Sequence, residues 1–276
     1  MKLDEWMKRT GAEQITSRSN PTVISYAGLS EKKKRDEAGL FLAEGVKLAA
    51  EALRYAPTER LLVAESALER QPLDELTEMA AQKNVPILLL SEGAFEKIST
   101  EKAPQGVIAV VRMMPELHRT GDFLRWQEDR RILMLDEIRD PGNLGTILRS
   151  AEALGAEGVI LAGSVDLYSP KTVRAAMGTL FRLPVYLTKD GAECVRILRE
   201  NGRRVLSAAL GEHTLTLGQY ETDPTDVVVI GNEGHGITPA VLAASTACVR
   251  IPMAGDTESL NASSAAACVL WEYFRA

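Results

Sequence analysis

Two alternations of apolar and polar segments run along the chain, separated by a stretch with neither period. In the first, short apolar runs at residues 39–43, 61–64, 85–90 and 107–111 read as strands. Between them residues 44–55, with Val46, Ala49, Ala50 and Leu53 at helical spacing, read as a helix, as do 73–83 and 92–98. Ahead of these, residues 1–20 read as an irregular arm ending at Ser19-Asn20-Pro21, and 22–34 as one helix running into a basic cluster. From Arg131 a second alternation predicts strands at 132–135, 158–161, 183–187, 205–209, 227–230 and 249–251. Its helices fall at about 143–154, 170–177, 191–200, 238–243 and 260–275. Short, nearly continuous apolar strands between helices indicate a parallel sheet covered on both faces. The fold class is therefore α/β throughout. A small α/β domain occupies residues 1–112, a linker 113–130 with Pro115 and Thr120-Gly121, and a parallel-sheet domain 131–276.

Three loops in the second domain share one order: a buried strand, a turn of Gly, Pro and Asn, then a helix. They are Asp140-Pro141-Gly142-Asn143 with Arg149 beyond it, Gly231-Asn232-Glu233-Gly234-His235-Gly236, and Ile251-Pro252-Met253 leading to Ser259-Leu260-Asn261. Ligands of open parallel sheets sit outside the carboxyl ends of the strands, where all three fall. The glycines of the second loop are spaced G-x-x-G-x-G. A dinucleotide fingerprint is G-x-G-x-x-G and opens its domain, so a nicotinamide oxidoreductase is disfavoured. A carboxylate in that turn, Glu233, would repel a pyrophosphate and suits a ligand bearing hydroxyls or positive charge. Asn143 reads as a helix cap, and Arg149 sits beside the inward face marked by Ile147, Leu148, Ala151 and Leu154.

Charge and cysteine usage narrow the partners. The net charge is −6, yet residues 1–35 hold eight Lys or Arg against four acids. A basic patch such as Lys32, Lys33, Lys34 and Arg35 is what phosphate binding needs, and on charge alone it is equally what a solvated helix end looks like. Cys194, Cys248 and Cys268 are far apart and set among apolar neighbours, as are the histidines scattered, so neither a disulfide framework nor a metal is expected. No apolar run approaches the roughly 18 residues of a membrane helix, and the first residues carry acids where a signal peptide would be apolar. A cytoplasmic protein with no membrane contact is expected.

Together the three loops resemble the motifs of the SpoU (TrmH-like) branch of SPOUT RNA methyltransferases. Asn143 with Arg149 resembles the first motif, Asn232-Glu233-Gly234 the second and Ser259-Leu260-Asn261 the third, in the family's order. The run Ser169-Pro170-Lys171-Thr172-Val173-Arg174 is also similar to that branch. Glu44-Gly45 and Pro104-Gln105-Gly106 resemble the ribosomal-protein-like RNA-binding module that many members carry. The resemblance implies a deep trefoil knot in the C-terminal domain, a homodimer, and methyl transfer from S-adenosylmethionine to a ribose 2′-hydroxyl. Large-subunit (23S) ribosomal RNA is the favoured substrate, with transfer RNA or a non-catalytic knotted RNA-binding protein as alternatives. It implies catalytic roles for Asn143, Arg149, Glu233, Ser259 and Asn261. Cofactor contacts would come from Leu210, Gly211, Ile230, Gly231, Asn232, Gly234, Ile251, Pro252, Met253 and Leu260. RNA would be held by Lys32, Lys33, Lys34, Arg35, Lys171 and Arg174. A guanidinium rarely yields its proton, so Arg149 is expected to bind phosphate and steady developing alkoxide charge rather than act as base.

Overall fold

The computed structural model describes residues 3–70, 72–119, 123–127, 130–211, 214–254 and 259–274. Lys2, Thr120, Gly121, Asp129, His213 and Glu258 lie outside the described residues. In chain order the first elements are α1 (Leu3–Thr10), β1 (Glu13–Ile15), α2 (Pro21–Gly28), α3 (Lys32–Ala38), β2 (Leu40–Glu44), α4 (Val46–Tyr55), β3 (Thr58–Ala64), α5 (Ala67–Arg70), α6 (Asp74–Gln82), β4 (Ile87–Leu90), α7 (Glu92–Ile98) and β5 (Val107–Arg112). There follow β6 (His118–Arg119), α8 (Phe123–Gln127), β7 (Ile132–Asp136), α9 (Pro141–Ala153), β8 (Gly158–Ala162), α10 (Pro170–Ala175), a short 3-10 turn (Thr179–Phe181), β9 (Val185–Thr188) and α11 (Gly191–Glu200). The last are β10 (Val205–Ala208), β11 (Thr214–Thr216), β12 (Val227–Ile230), α12 (Pro239–Ala244), β13 (Ala247–Arg250) and α13 (Ala262–Phe274). Among the described residues no helix is long and apolar enough to cross a membrane.

The chain divides into two compact units. The first takes in Met1–Met114 and Tyr168–Phe181. Its five-stranded sheet has the order β1-β4-β3-β5-β2, with β1, β4 and β3 parallel and β5 antiparallel to both β3 and β2. Although Tyr168–Phe181 lies within the second alternation of the sequence, it is part of this unit. Phe41 of β2 packs against the rings of Tyr168 and Phe181, at centroid distances of 4.8 and 6.3 Å. The N-terminal arm is not irregular. Trp6 is fully buried and anchors α1, and β1 adds an edge strand beside β4. The helix expected over 22–34 is two helices. α2 stops at Gly28, Glu31 is extended, and α3 then runs to Gly39, whose φ of 65° closes it in the left-handed conformation.

The second unit, Pro115–Leu167 with Arg182–Ala276, holds an eight-stranded sheet of order β11-β13-β10-β12-β7-β8-β9-β6. Every pairing in it is parallel. Both sides of its central strands are buried: Ile132, Met134, Val227 and Val229 enter one core with α8, α11 and α12. The alternate residues Leu133, Leu135, Val228 and Ile230 are equally buried on the side where α9 and α13 pack. That two-sided burial is why these strands read as unbroken apolar runs. The stretch expected to be a linker contributes to this unit. His118–Arg119 pairs with β9 at the sheet edge, and α8 buries Phe123 and Trp126 against Tyr186 at 4.7 and 5.5 Å. Trp126 fits so closely over β8 that a Cβ on Gly158 would lie 2.9 Å from its ring.

From β7 the chain steps outward to β8 and β9, then returns to the other side of β7 through β10 and β12. The reversal makes the carboxyl ends of β7 and β12 a topological switch point, where adjacent loops diverge and leave a crevice.

Candidate active site

The loops after β7 and β12 fill that crevice and hold one another by hydrogen bonds. Asp140, not Asn143, caps α9: its Oδ1 accepts the Asn143 N–H at 2.8 Å, with Pro141 at the first helical position. This correction matters because it frees the Asn143 side chain. Its Nδ2 donates to Glu233 Oε1 at 2.9 Å, and its Oδ1 accepts from Asn261 Nδ2 at 3.1 Å. An ionised carboxylate only accepts, so Glu233 dictates which way the Asn143 amide faces, and Asn143 in turn dictates Asn261. Asn261 Oδ1 accepts from the backbone and hydroxyl of Ser263 and so fixes the start of α13. A single relay, Glu233–Asn143–Asn261, therefore ties together all three loops singled out in the sequence.

Glu233 is anchored further by the backbone N–H groups of Arg139 and Asp140, each at 3.2 Å. Partial burial acts to raise its carboxyl pKa, but the hydrogen bonds from Asn143, Arg139 and Asp140 outweigh it and hold the group below the usual carboxylate range. Its own loop is equally fixed. Asn232 and Gly236 exchange both backbone hydrogen bonds, and Asn232 Oδ1 accepts the N–H groups of Gly234 and His235. Gly231 has no room for a side chain: a Cβ there would lie 2.4 Å from the Gly236 carbonyl carbon and the Ile237 nitrogen.

Asn232 Nδ2 donates to the backbone carbonyl of Glu137, a residue in the left-handed region at φ 56°. That conformation in a non-glycine residue costs on the order of 1 kcal/mol. It turns the Glu137 carboxylate toward His235 Nε2 at 3.3 Å and Arg139 at 3.0 Å. Those two partners keep the Glu137 carboxyl below its ordinary range, His235 first and Arg139 second. Arg139, Asp140, Asn143, Asn232, Glu233, Gly234, His235 and Asn261 together line an open cleft of about 690 Å³.

A second cleft, of about 540 Å³, lies at the carboxyl ends of β10 and β13. It is lined by Ala208, Ala209, Leu210, Val249–Met253, Ser259, Leu260 and Ala265. Leu210 is 79% exposed and Leu260 38% exposed. Two large aliphatic side chains held open over a mostly apolar cleft of this size fit an organic ligand with a planar apolar portion. Strand-end backbone groups alongside them fit its polar edges. The third loop passes from Ser259 and Leu260 in this cleft to Asn261 in the other.

The structure distributes the expected site residues as follows. Leu210, Ile251, Pro252, Met253, Leu260 and Ser259 line the second cleft, and Gly211 adjoins it against Cys248 Sγ. Asn232 and Gly234 line the first cleft, while Ile230 is buried at the end of β12 beside Gly231. Arg149 is exposed on α9, and no hydrogen bond or ion pair joins it to another described residue. Lys32, Lys33 and Lys34 are exposed on α3, each paired along the helix with Asp36 or Glu37. Arg35 is a correction: it is buried, and its guanidinium donates to the carbonyls of Leu29 and Ser30 at 2.7 and 2.8 Å, closing the end of α2. Lys171 is exposed, and Arg174 forms an ion pair with Glu101 inside the first unit. Glu137, Arg139 and the role of His235 were not legible in the sequence. Their only signal was a string of charges in loops, and the contacts that matter span up to 98 positions.

The fold and clefts describe an α/β protein with a parallel sheet and ligand sites at one edge, of the kind that brings a small organic molecule to a polar substrate. Residues 130–271 match the SpoU rRNA Methylase family, and residues 20–109 match the MRM3-like substrate binding domain. The chain is 31% identical to the 23S rRNA (guanosine(2553)-2′-O)-methyltransferase RlmP of Bacillus subtilis, over 94% of this chain and 98% of that one. It is 34% identical to the 23S rRNA (uridine(2479)-2′-O)-methyltransferase of Streptomyces viridochromogenes, over 96% and 92%. The crystal structure of an AdoMet-bound rRNA methyltransferase from Sinorhizobium meliloti superposes with a TM-score of 0.78 at 31% identity, covering 95% of this chain and 97% of that one. The chain belongs to the SpoU rRNA methylase family.

Proposed function

We propose that the protein transfers the methyl group of S-adenosylmethionine to a ribose 2′-hydroxyl of 23S ribosomal RNA. The observation that carries this reading is the Glu233–Asn143–Asn261 relay beside a mostly apolar cleft that the same third loop enters. When bound, S-adenosylmethionine supplies a methyl already activated by the sulfonium, so the chain's task is alignment and exclusion of water. Leu210, Ile251–Met253 and Leu260 would enclose the cofactor. Asn143 and Asn261, held in one orientation by Glu233, would position ribose oxygens at the junction of the two clefts. Arg149 would bind the adjoining phosphate through its planar fork and stabilise charge developing on the attacking oxygen. Lys32–Lys34 would add phosphate contacts from the first unit, with Lys171 guiding the target strand. The 2′-hydroxyl is reached most readily in a loop or extruded nucleotide. A knotted cofactor site, a homodimer and a cytoplasmic location complete the proposal, on the resemblance to the SpoU branch.

The test is incubation of the purified protein with labelled S-adenosylmethionine and, separately, unmodified 23S rRNA and unmodified transfer RNA. Label in the ribosomal RNA alone is expected. Label in transfer RNA alone would overturn the substrate assignment.

A further inference from the structure

The first cleft contains an imidazole that the alignment chemistry above leaves unused. His235 is exposed, at 61% of its side-chain surface, on a loop fixed at both ends by Asn232 and Gly236. Its Nε2 faces the Glu137 carboxylate at 3.3 Å. A carboxylate accepts and does not donate, so Nε2 is the nitrogen that donates to it, and in the neutral ring the lone pair then lies on Nδ1. The charged groups around this imidazole are Glu137 and Arg139 from the loop after β7, with Asp140 and Glu233 lining the same cleft. Glu137 is held in position by a strained backbone whose carbonyl is bonded to Asn232. Strain of this kind persists where the surroundings over-determine it, and it gathers at functional sites. The unit is thus a carboxylate that orients an imidazole, in a cleft shared with two amides able to hold a ribose. Imidazole is the side chain that ordinarily exchanges protons near neutrality, which a guanidinium such as Arg149 does not.

We infer that His235 accepts the proton of the ribose 2′-hydroxyl through Nδ1, with Glu137 as the positioning residue that fixes the tautomer and stabilises the imidazolium. This rests on the ribose-methylation reading. As the ribose O2′ bonds to the methyl carbon, the carbon–sulfur bond is released with its electron pair on sulfur, and the hydroxyl proton passes to Nδ1. Positive charge moves from the sulfonium to the imidazolium, and the ribose oxygen ends as a neutral ether. Glu137 stays ionised through the step because His235 and Arg139 hold its carboxyl low.

The experiment uses the full-length His235→Ala and Glu137→Gln variants with S-adenosylmethionine and the RNA that the wild type methylates. Removing a positioned general base lowers kcat by about 10²-fold. Accordingly His235→Ala is expected to lose about that factor in kcat, with KM for RNA nearly constant. Added imidazole should restore part of the loss in a saturable manner. Glu137→Gln should also lower kcat, through loss of the oriented tautomer, with no response to imidazole. Calorimetric S-adenosylmethionine binding should be unchanged in both variants, which separates a proton-transfer defect from a damaged fold. A His235→Ala enzyme with wild-type kcat, or one whose loss imidazole leaves untouched while cofactor binding is intact, overturns the inference. A wild-type product methylated on a base instead of ribose would overturn the underlying reading, and that is read from the wild type alone.

Discussion

Glu233 is the point where the two switch-point loops are joined, and Glu233→Gln isolates its charge from its shape. Oε1 accepts from Asp140 N–H and Asn143 Nδ2, and Oε2 accepts from Arg139 N–H. A glutamine has one oxygen and one NH₂, so in either orientation it points a donor at a donor. Placed to keep the Asn143 contact, it loses the Arg139 bond and the charge assistance of the other two. Charge-assisted bonds contribute about 1.5–3 kcal/mol and neutral ones about 1 kcal/mol. Discounted for the exposure of this carboxylate, the loss is about 1.5 kcal/mol of local stability. That corresponds to roughly tenfold faster hydrogen exchange at the Arg139 and Asp140 amides near pH 7, the natural assay for a local opening. The sign with pH follows from the depressed pKa. A carboxyl held below its ordinary 4.5 contributes stability that is present above that value and lost as pH falls through the folded-state pKa. The ratio of exchange rates between variant and wild type should therefore shrink toward one as pH falls through the folded-state pKa of Glu233. Equal exchange at neutral pH, or a ratio undiminished in acid, would refute the role given to Glu233.

Three other perturbations separate parts of the account. Gly231→Ala forces a Cβ to within 2.4 Å of backbone atoms, so the loop must open. Overpacking of this kind costs about 1–3 kcal/mol, and methyl transfer should fall at least about tenfold with it. Leu260→Asp puts a carboxylate into the apolar cleft at a half-exposed position. Calorimetry should record S-adenosylmethionine affinity weakened by about tenfold or more at an unchanged melting temperature; unchanged affinity would place the cofactor elsewhere. Replacing Lys32, Lys33 and Lys34 together by Gln should reduce the slope of log K against log salt for RNA binding by about 2. Arg35→Met should leave that slope alone and destabilise the first unit by about 1–3 kcal/mol, because two backbone carbonyls lose their buried donor.

What could be read from the chain, and what could not, divides along physical lines. β7, β8 and β12 are buried on both faces, so continuous apolar runs announced them, and the loops at their ends followed. β6 and α8 escaped because a two-residue edge strand has no period to detect, and α8 is only five residues long, too short for its apolar Phe123, Leu124 and Trp126 to show a helical period. Arg35 stood fourth in a row of cations. Nothing local distinguishes it from Lys32–Lys34, and only the turn of α3 carries it inward to the end of α2. In the site, Asn143, Glu233 and Asn261 were identifiable as a set through the family's motifs. Their joining could not be read, since Asn143 and Glu233 are 90 positions apart and Asn143 and Asn261 118 apart. The cap at Asp140 was legible in principle, because Asp-Pro places an acceptor before a first helical proline. The Glu137–His235 contact had no such signal: it depends on a left-handed backbone at a glutamate, which sequence propensity argues against.

The measurement that bears most directly on the central claim is the chemical identity of the methylated nucleoside. Ribosomal RNA labelled by the protein would be digested to nucleosides, separated and analysed by mass. A single 2′-O-methylated nucleoside is expected, with the added mass on the ribose fragment and the adjoining internucleotide bond resistant to alkali. A methyl group on the base fragment, with that bond still cleaved by alkali, would contradict it.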